Sequence, residues 1–264
     1  MSGVKQAAED SAIANPSRLT YLLVPALLAA LVVVAYWKKT RPGTAPAPVT
    51  TAATSAESTQ ALLARGIRAH DAGAPDAAMD LYHKVLEREP ANATAHYNIA
   101  QIYNARGQYA QAQWEYEAAL KADPKFVDAR INLGVVLYRL HQFPAAAAEF
   151  QQVLDAAPRH PQALFNLGTT LIEMGQADQA VRPLRAALAE DPKSANTHYY
   201  LGVALERQHK LPEAKAELQE ALALSPRHAD AYLALSRVYR EQGEPRLAQE
   251  ALAKAKELNP RLEP

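Results

Sequence analysis

The chain of 264 residues contains no cysteine. Disulfides, thiolate zinc sites, covalently attached c-type haem, cysteine nucleophiles and a cysteine-linked lipid anchor are therefore excluded. Aromatic residues make up only 7%, and there are just 10 glycines. With alanine and leucine dominant, that composition favours helices over sheets. Neither sign of charge is in excess, since 28 basic residues balance 28 acidic ones. A neutral chain with interleaved charges offers no basic footprint, so nucleic acid is not an expected partner. Catalytic signatures are missing as well: there is no H-E-x-x-H, no Walker-type glycine loop and no G-x-S-x-G. His83 and Glu87 form one i,i+4 pair, and one pair does not make a metal site. No nucleophile stands beside a base and no paired carboxylates suggest a cleft. No enzymatic activity, metal or cofactor is expected.

What is present begins with one long uncharged run. Leu19 to Trp37 reads LTYLLVPALLAALVVVAYW, nineteen positions without a charge. As a helix it would be about 28 Å long, close to the hydrocarbon thickness of a bilayer. Tyr21 lies near one end and Tyr36 with Trp37 at the other, where amphipathic rings suit the interface. A buried core helix and a cleaved signal peptide are the alternatives. A signal peptide has a short basic leader and a small-residue cleavage site, whereas here a polar segment, residues 1–18, precedes the run and Lys38, Lys39 and Arg41 follow it. The expectation is a single transmembrane helix at 19–37, in a single-pass protein of a bacterial inner membrane, with the lipid bilayer as one partner. Lys38, Lys39 and Arg41 against Lys5, Arg18 and the amino terminus lean the bulk of the chain toward the cytoplasm. Residues 38–58 are rich in Pro, Ala and Thr with no periodic apolar face, as expected of a flexible linker.

Beyond the linker the sequence is periodic. Pro90, Pro124, Pro158, Pro192, Pro226 and Pro260 are each separated by 34 residues. Twelve places before each proline stands alanine: Ala78, Ala112, Ala146, Ala180, Ala214 and Ala248. Eight places before stands a bulky residue: Tyr82, Tyr116, Phe150, Leu184, Leu218 or Leu252. Twenty-four places before comes Gly66, Ala100, Gly134, Gly168, Gly202 or Ser236. Small residues on two helices let their backbones approach, and bulky residues fill the space between one helix pair and the next. Proline ends each second helix because it cannot continue one.

This pattern resembles a tetratricopeptide repeat array, with repeats at 59–92, 93–126, 127–160, 161–194, 195–228 and 229–262 and a short tail, 263–264. The resemblance implies an all-α fold, a right-handed superhelical solenoid of six helix-turn-helix repeats whose first helices line a concave groove. It also departs from the family pattern. The first consensus position, often tryptophan, holds Leu62, His96, Arg130, Leu164, His198 and Tyr232. The turn between helices carries Gly73, Gly107, Gly175 and Gly243, but His141 and His209 in repeats three and five. Pro183 lies inside a second helix, where a local kink is expected.

Carried over by register, the groove positions hold Tyr97, Asn98 and Gln101; Asn132, Val135 and Tyr138; Phe165, Asn166 and Thr169; Tyr199 with Tyr200; and Arg237. Asn98, Asn132 and Asn166 share one register. As a ladder of amides they could grip the main chain of an extended peptide; alternatively they are solvated consensus residues. Tyr97, Phe165 and Tyr199 are either anchors for a ligand or inter-repeat packing. The lysine clamp by which some family members hold a terminal carboxylate has no counterpart, because its positions are Leu63, Tyr97, Ile131, Phe165, Tyr199 and Leu233. Groove charges are mixed, Arg139, Arg207, Arg237 and Arg240 against Glu173, Glu206 and Glu241, which suits partner selection. Three pairs of histidines, His96 with His198, His141 with His209 and His160 with His228, recur at common registers and are read as serving the repeat.

The function expected is a membrane-anchored scaffold that recruits proteins or extended peptide segments through its groove into a membrane or envelope complex. Pilus assembly, secretion, cytochrome maturation and envelope biogenesis are all compatible. The alternative is a self-assembling structural protein, a homo-oligomer stacking through a sixth repeat that has no polar capping helix after it.

Overall fold

The computed structural model describes residues 57–261. The expected polar segment 1–18, transmembrane helix 19–37, linker up to residue 56 and tail lie outside the described residues. Among the described residues there are twelve α-helices, none long and apolar enough to cross a membrane. They come in pairs, one pair to each expected repeat. These are α1 Thr59–Asp71 with α2 Pro75–Arg88, α3 Ala93–Ala105 with α4 Tyr109–Ala122, and α5 Val127–Arg139 with α6 Phe143–Ala156. The second half holds α7 Pro161–Glu173 with α8 Ala177–Glu190, α9 Ala195–Arg207 with α10 Leu211–Leu224, and α11 Ala229–Glu241 with α12 Pro245–Leu258.

Local chemistry sets these boundaries. The residue before each repeat proline is extended, as at Glu89 (φ −128°, ψ 78°) and Asn259 (φ −142°, ψ 96°), because the proline ring forbids a helical predecessor. Two residues after the proline, at every junction but that of Phe126, a side chain caps the next first helix: Asn92 accepts from the Ala95 amide at 3.0 Å and Ser194 from Thr197 at 3.3 Å. His160 and His228 do the same work, accepting through Nδ1 from Ala163 and Ala231 at 3.4 and 3.3 Å. Between the helices of a pair the chain enters the left-handed region. Gly73, Gly107, Gly175 and Gly243 have φ of 71–75°, and His141 and His209 take φ of 58° and 57°. The amide after each returns to the third-last carbonyl of the first helix, as from Ala74 to Ala69 and from Gln142 to Leu137, each at 2.9 Å.

The buried registers are those expected. Ala78, Ala112, Ala146, Ala180 and Ala214 have no exposed surface, and Tyr82, Tyr116, Phe150, Leu184 and Leu218 are at most 1% exposed. Where glycine stands opposite the bulky residue the backbones are closer than a side chain allows: a Cβ on Gly134 would lie 2.5 Å from Phe150 Cε1, and one on Gly168 2.5 Å from Leu184 Cγ; repeats two and six carry Ala100 and Ser236 there. The helix α8 runs unbroken through Pro183. The expected kink therefore meets a continuous helix, in which Pro183 leaves the Gln179 carbonyl without its usual amide partner and buries its ring.

Among the described residues the helices pack mainly on their neighbours in sequence, together with first helix on first helix, as α5 on α7, α7 on α9 and α9 on α11. Contact of this range defines a solenoid. The first helices, which approach one another most closely from one repeat to the next, form the inner row. Polar clasps join the two helices of some repeats. His96 places Nδ1 2.6 Å from Glu115 and Nε2 3.0 Å from the Pro90 carbonyl. His198 repeats this with Glu217 at 2.7 Å and Pro192 at 3.1 Å. Arg130 donates to Glu149 at 2.8 Å and to the Pro124 carbonyl at 2.9 Å. Repeats one, four and six put apolar pairs at these registers: Leu62 and Leu81, Leu164 and Pro183, Tyr232 and Ala251.

Candidate functional site

The inner row brings some of the expected groove residues together and commits others to structure. Val135, Tyr138, Phe165, Asn166 and Thr169 line a single cavity of about 260 Å³ between α5, α7 and α9. Tyr200 and Arg139 complete its wall, and Phe150 and Thr170 lie at its base. Phe165 meets Tyr200 edge to face, with centroids 5.6 Å apart. Burial, more than the nearby Glu173, raises the Tyr138 and Tyr200 hydroxyls above the usual tyrosine range, against the opposing Arg139. Both rings are therefore neutral hydrogen-bonding groups at physiological pH.

Asn166 gives this cavity its polar character. Its backbone carbonyl accepts from both threonine hydroxyls, Thr169 at 3.0 Å and Thr170 at 2.6 Å. Its side-chain Nδ2 is buried without a partner. A buried amide donor lacking an acceptor costs about 1–3 kcal/mol, and an entering carbonyl oxygen would remove that cost. The site thus combines an aromatic and aliphatic wall with one unsatisfied donor.

The other asparagines of the register differ. Asn98 is 9% exposed and donates to the Thr94 carbonyl of its own helix at 2.8 Å. Asn132 donates to the Tyr97 hydroxyl of the preceding repeat at 3.3 Å, and Gln101 donates to that same hydroxyl at 2.8 Å. Tyr97 also stacks on Phe126, centroids 4.7 Å apart, and burial pushes its hydroxyl up. Tyr199 packs on Tyr200 and His228, at 4.9 and 4.7 Å, and burial pushes its hydroxyl up to about 12. Arg237 forks onto Glu206, Nε to Oε1 at 2.6 Å and an Nη to Oε2 at 2.8 Å. It joins repeats five and six, and these hydrogen bonds raise its pKa. Of the cavity residues, sequence reasoning missed Phe150, assigned to packing alone, and Thr170. A second hydroxyl beside Thr169 was the signal available.

Three family models, each described as tetratricopeptide repeat, match residues 69–114 with 137–200, residues 105–161, and residues 190–261. No curated protein matches the chain in sequence. Among solved structures, PilF of Pseudomonas aeruginosa superposes with a TM-score of 0.65 at 19% identity, over 77% of this chain and 93% of that one. MamA of Desulfovibrio magneticus RS-1 gives a TM-score of 0.60 at 24% identity, over 65% of this chain and 97% of that one. YrrB, described as a TPR protein with an unusual peptide-binding site, gives 0.58 at 23% identity, over 68% of this chain and 93% of that one. Identities this low carry the fold alone. Together the family matches run from residue 69 to residue 261, and the chain belongs to the tetratricopeptide repeat family.

Proposed function

We propose that the protein is a membrane-anchored interaction scaffold that holds an extended segment of a partner protein in the groove of its inner helix row. The observation that carries this reading is the unpartnered, buried Asn166 Nδ2 in a cavity walled by Tyr138, Phe165 and Tyr200. One apolar or aromatic side chain of the partner fills the cavity, and a main-chain carbonyl beside it accepts from Asn166. Main-chain recognition of this kind gives affinity and the pocket gives selectivity. The peptide-binding site in the description of YrrB supports the assignment of a groove ligand. The anchor rests on the nineteen uncharged residues 19–37, and the complex served is one at the membrane or envelope.

The test places a photoactivatable amino acid at Arg139, on the cavity rim, in the full chain in native membranes. A defined partner segment should be cross-linked by this chain and lost when Asn166→Ala is added. Equal cross-linking by both would remove the cavity from the reading. A chain lacking residues 1–41 should leave the membrane fraction; if it still sediments with membranes, the span is not the tether.

A further inference from the structure

Two features of the other side of the array are unrelated to the groove. Trp114, on α4, is 62% exposed, the most exposed large apolar side chain among the described residues. It stands ten places before its repeat proline, the register that Arg182 holds on α8. Beside Arg182 a cleft of about 590 Å³ opens between α6, α7 and α8. Leu164, Leu167 and Leu171 form its floor, with Leu154 and Pro183 at its sides. At 100° per residue these three leucines lie on the flank of α7 opposite Phe165, Asn166 and Thr169, so the cleft faces away from the groove. It opens where repeats two, three and five carry the polar clasp onto a glutamate and repeat four has Leu164 with Pro183.

We propose that this outer face is a homodimer interface in which Trp114 of each copy enters the leucine cleft of the other. Both halves of the contact are on one chain, on the second-helix face, 68 residues or two repeats apart. A twofold axis crossing repeat three exchanges them, so the contact is made twice and closes at two copies. The surface at that axis suits close approach. Ala145, Ala148 and Gln151 of α6 are exposed, and the only charges of α6 are Asp155 and Glu149, the latter held by Arg130. Depletion of charge at the centre is the mark of an interface core. At its edges, Glu117, one turn beyond Trp114, meets Arg182 on the cleft rim, anion against cation. A buried tryptophan ringed by such contacts is the kind of residue that dominates association energy.

The absence of cysteine makes the test clean. Full-length chains carrying Ala110→Cys and Asp178→Cys, differently tagged, are co-expressed and oxidised. Position 110 is one turn before Trp114, and Asp178 lines the cleft. Mixed disulfide-linked dimers should form, exceed either same-variant dimer, and fall about tenfold when Trp114→Ala or Ala186→Arg is added to both chains. Trp114 is largely exposed, and circular dichroism checks that both the Trp114→Ala and the Ala186→Arg arrays are folded. Absence of mixed dimers, or an unchanged yield in either folded variant, overturns the proposal. Cross-linking from Arg139 reports the groove independently.

Discussion

His96 presents one ring nitrogen to a carboxylate oxygen of Glu115 at 2.6 Å and the other to the Pro90 carbonyl at 3.0 Å. Its side chain is 9% exposed and that of Glu115 8%. One imidazole therefore ties the first helix of its repeat to the second and to the loop from the repeat before. Arg130 in the same register makes the same two connections.

Truncating Glu115 to alanine strands a buried histidine nitrogen and should destabilise the array by about 1–3 kcal/mol. The double change His96→Leu with Glu115→Leu, which copies Leu62 and Leu81 of repeat one, should recover most of that loss. Chemical denaturation of the three variants checks both; a double variant no better than the single one would show that the clasp is irreplaceable.

Left-handed backbone at a non-glycine residue costs about 1–2 kcal/mol. His141→Gly and His209→Gly, at φ of 58° and 57°, should each raise stability by about 0.5–1 kcal/mol, measured as a higher melting temperature. His141 gives the smaller gain, since its ring meets Phe143 edge-on at 5.5 Å.

Burial pushes the His228 imidazole below its usual range, over the opposing pull of Asp230. The unfolded chain then binds the proton more readily than the folded one, so the contribution is complete above the unfolded value of about 6.5 and is lost as pH falls through the lower folded value. Protonation also removes the Nδ1 lone pair that caps α11. His228→Asn keeps a cap without a titrating group. The melting temperature should drop less between pH 7.5 and pH 5 in this variant than in the parent.

Gly168→Ala drives a methyl group into Leu184 at 2.5 Å and should cost about 1–3 kcal/mol. Pairing it with Leu184→Ala should remove the clash and leave the smaller penalty of a cavity. If Gly168→Ala alone leaves the denaturation midpoint unchanged, the close approach of α7 and α8 is wrong.

Within the asparagine register, only Asn166→Ala should weaken capture of a groove ligand, by about tenfold, the worth of one hydrogen bond to a buried donor. Asn98→Ala, whose amide already serves Thr94, should leave capture unchanged. Titration of the partner segment against the two variants separates them; equal losses would restore a uniform ladder.

The repeat was legible because its backbone needs recur in kind. Proline after each second helix, alanine at the helix crossing and a small residue, glycine in four repeats, beneath the bulky one are demands that few residue types meet, so the same or similar letters return every 34 positions. The clasps were hidden because both registers vary, through Leu, His, Arg and Tyr on one helix and Leu, Glu, Pro and Ala on the other. Only the pairing at a separation of 19 shows that polar meets polar. The groove was half legible. Register placed Asn98, Asn132 and Asn166 alike, yet their bonding depends on neighbours that change: a threonine carbonyl below Asn98, a tyrosine from the previous repeat at Asn132, and at Asn166 an amide left unused. Arg237, at an expected groove position, is paired with Glu206.

Because the described helices pack mainly within their own repeat and on the next, the course of the array is the sum of small angles at successive junctions. A segment seated between α5, α7 and α9 would alter two of those angles slightly. The half of the array on either side then acts as a lever arm, turning a sub-ångström adjustment at the cavity into a larger swing at the first and last helices. Occupancy of the proposed groove site would in this way be converted into a change of separation between the first and last helices.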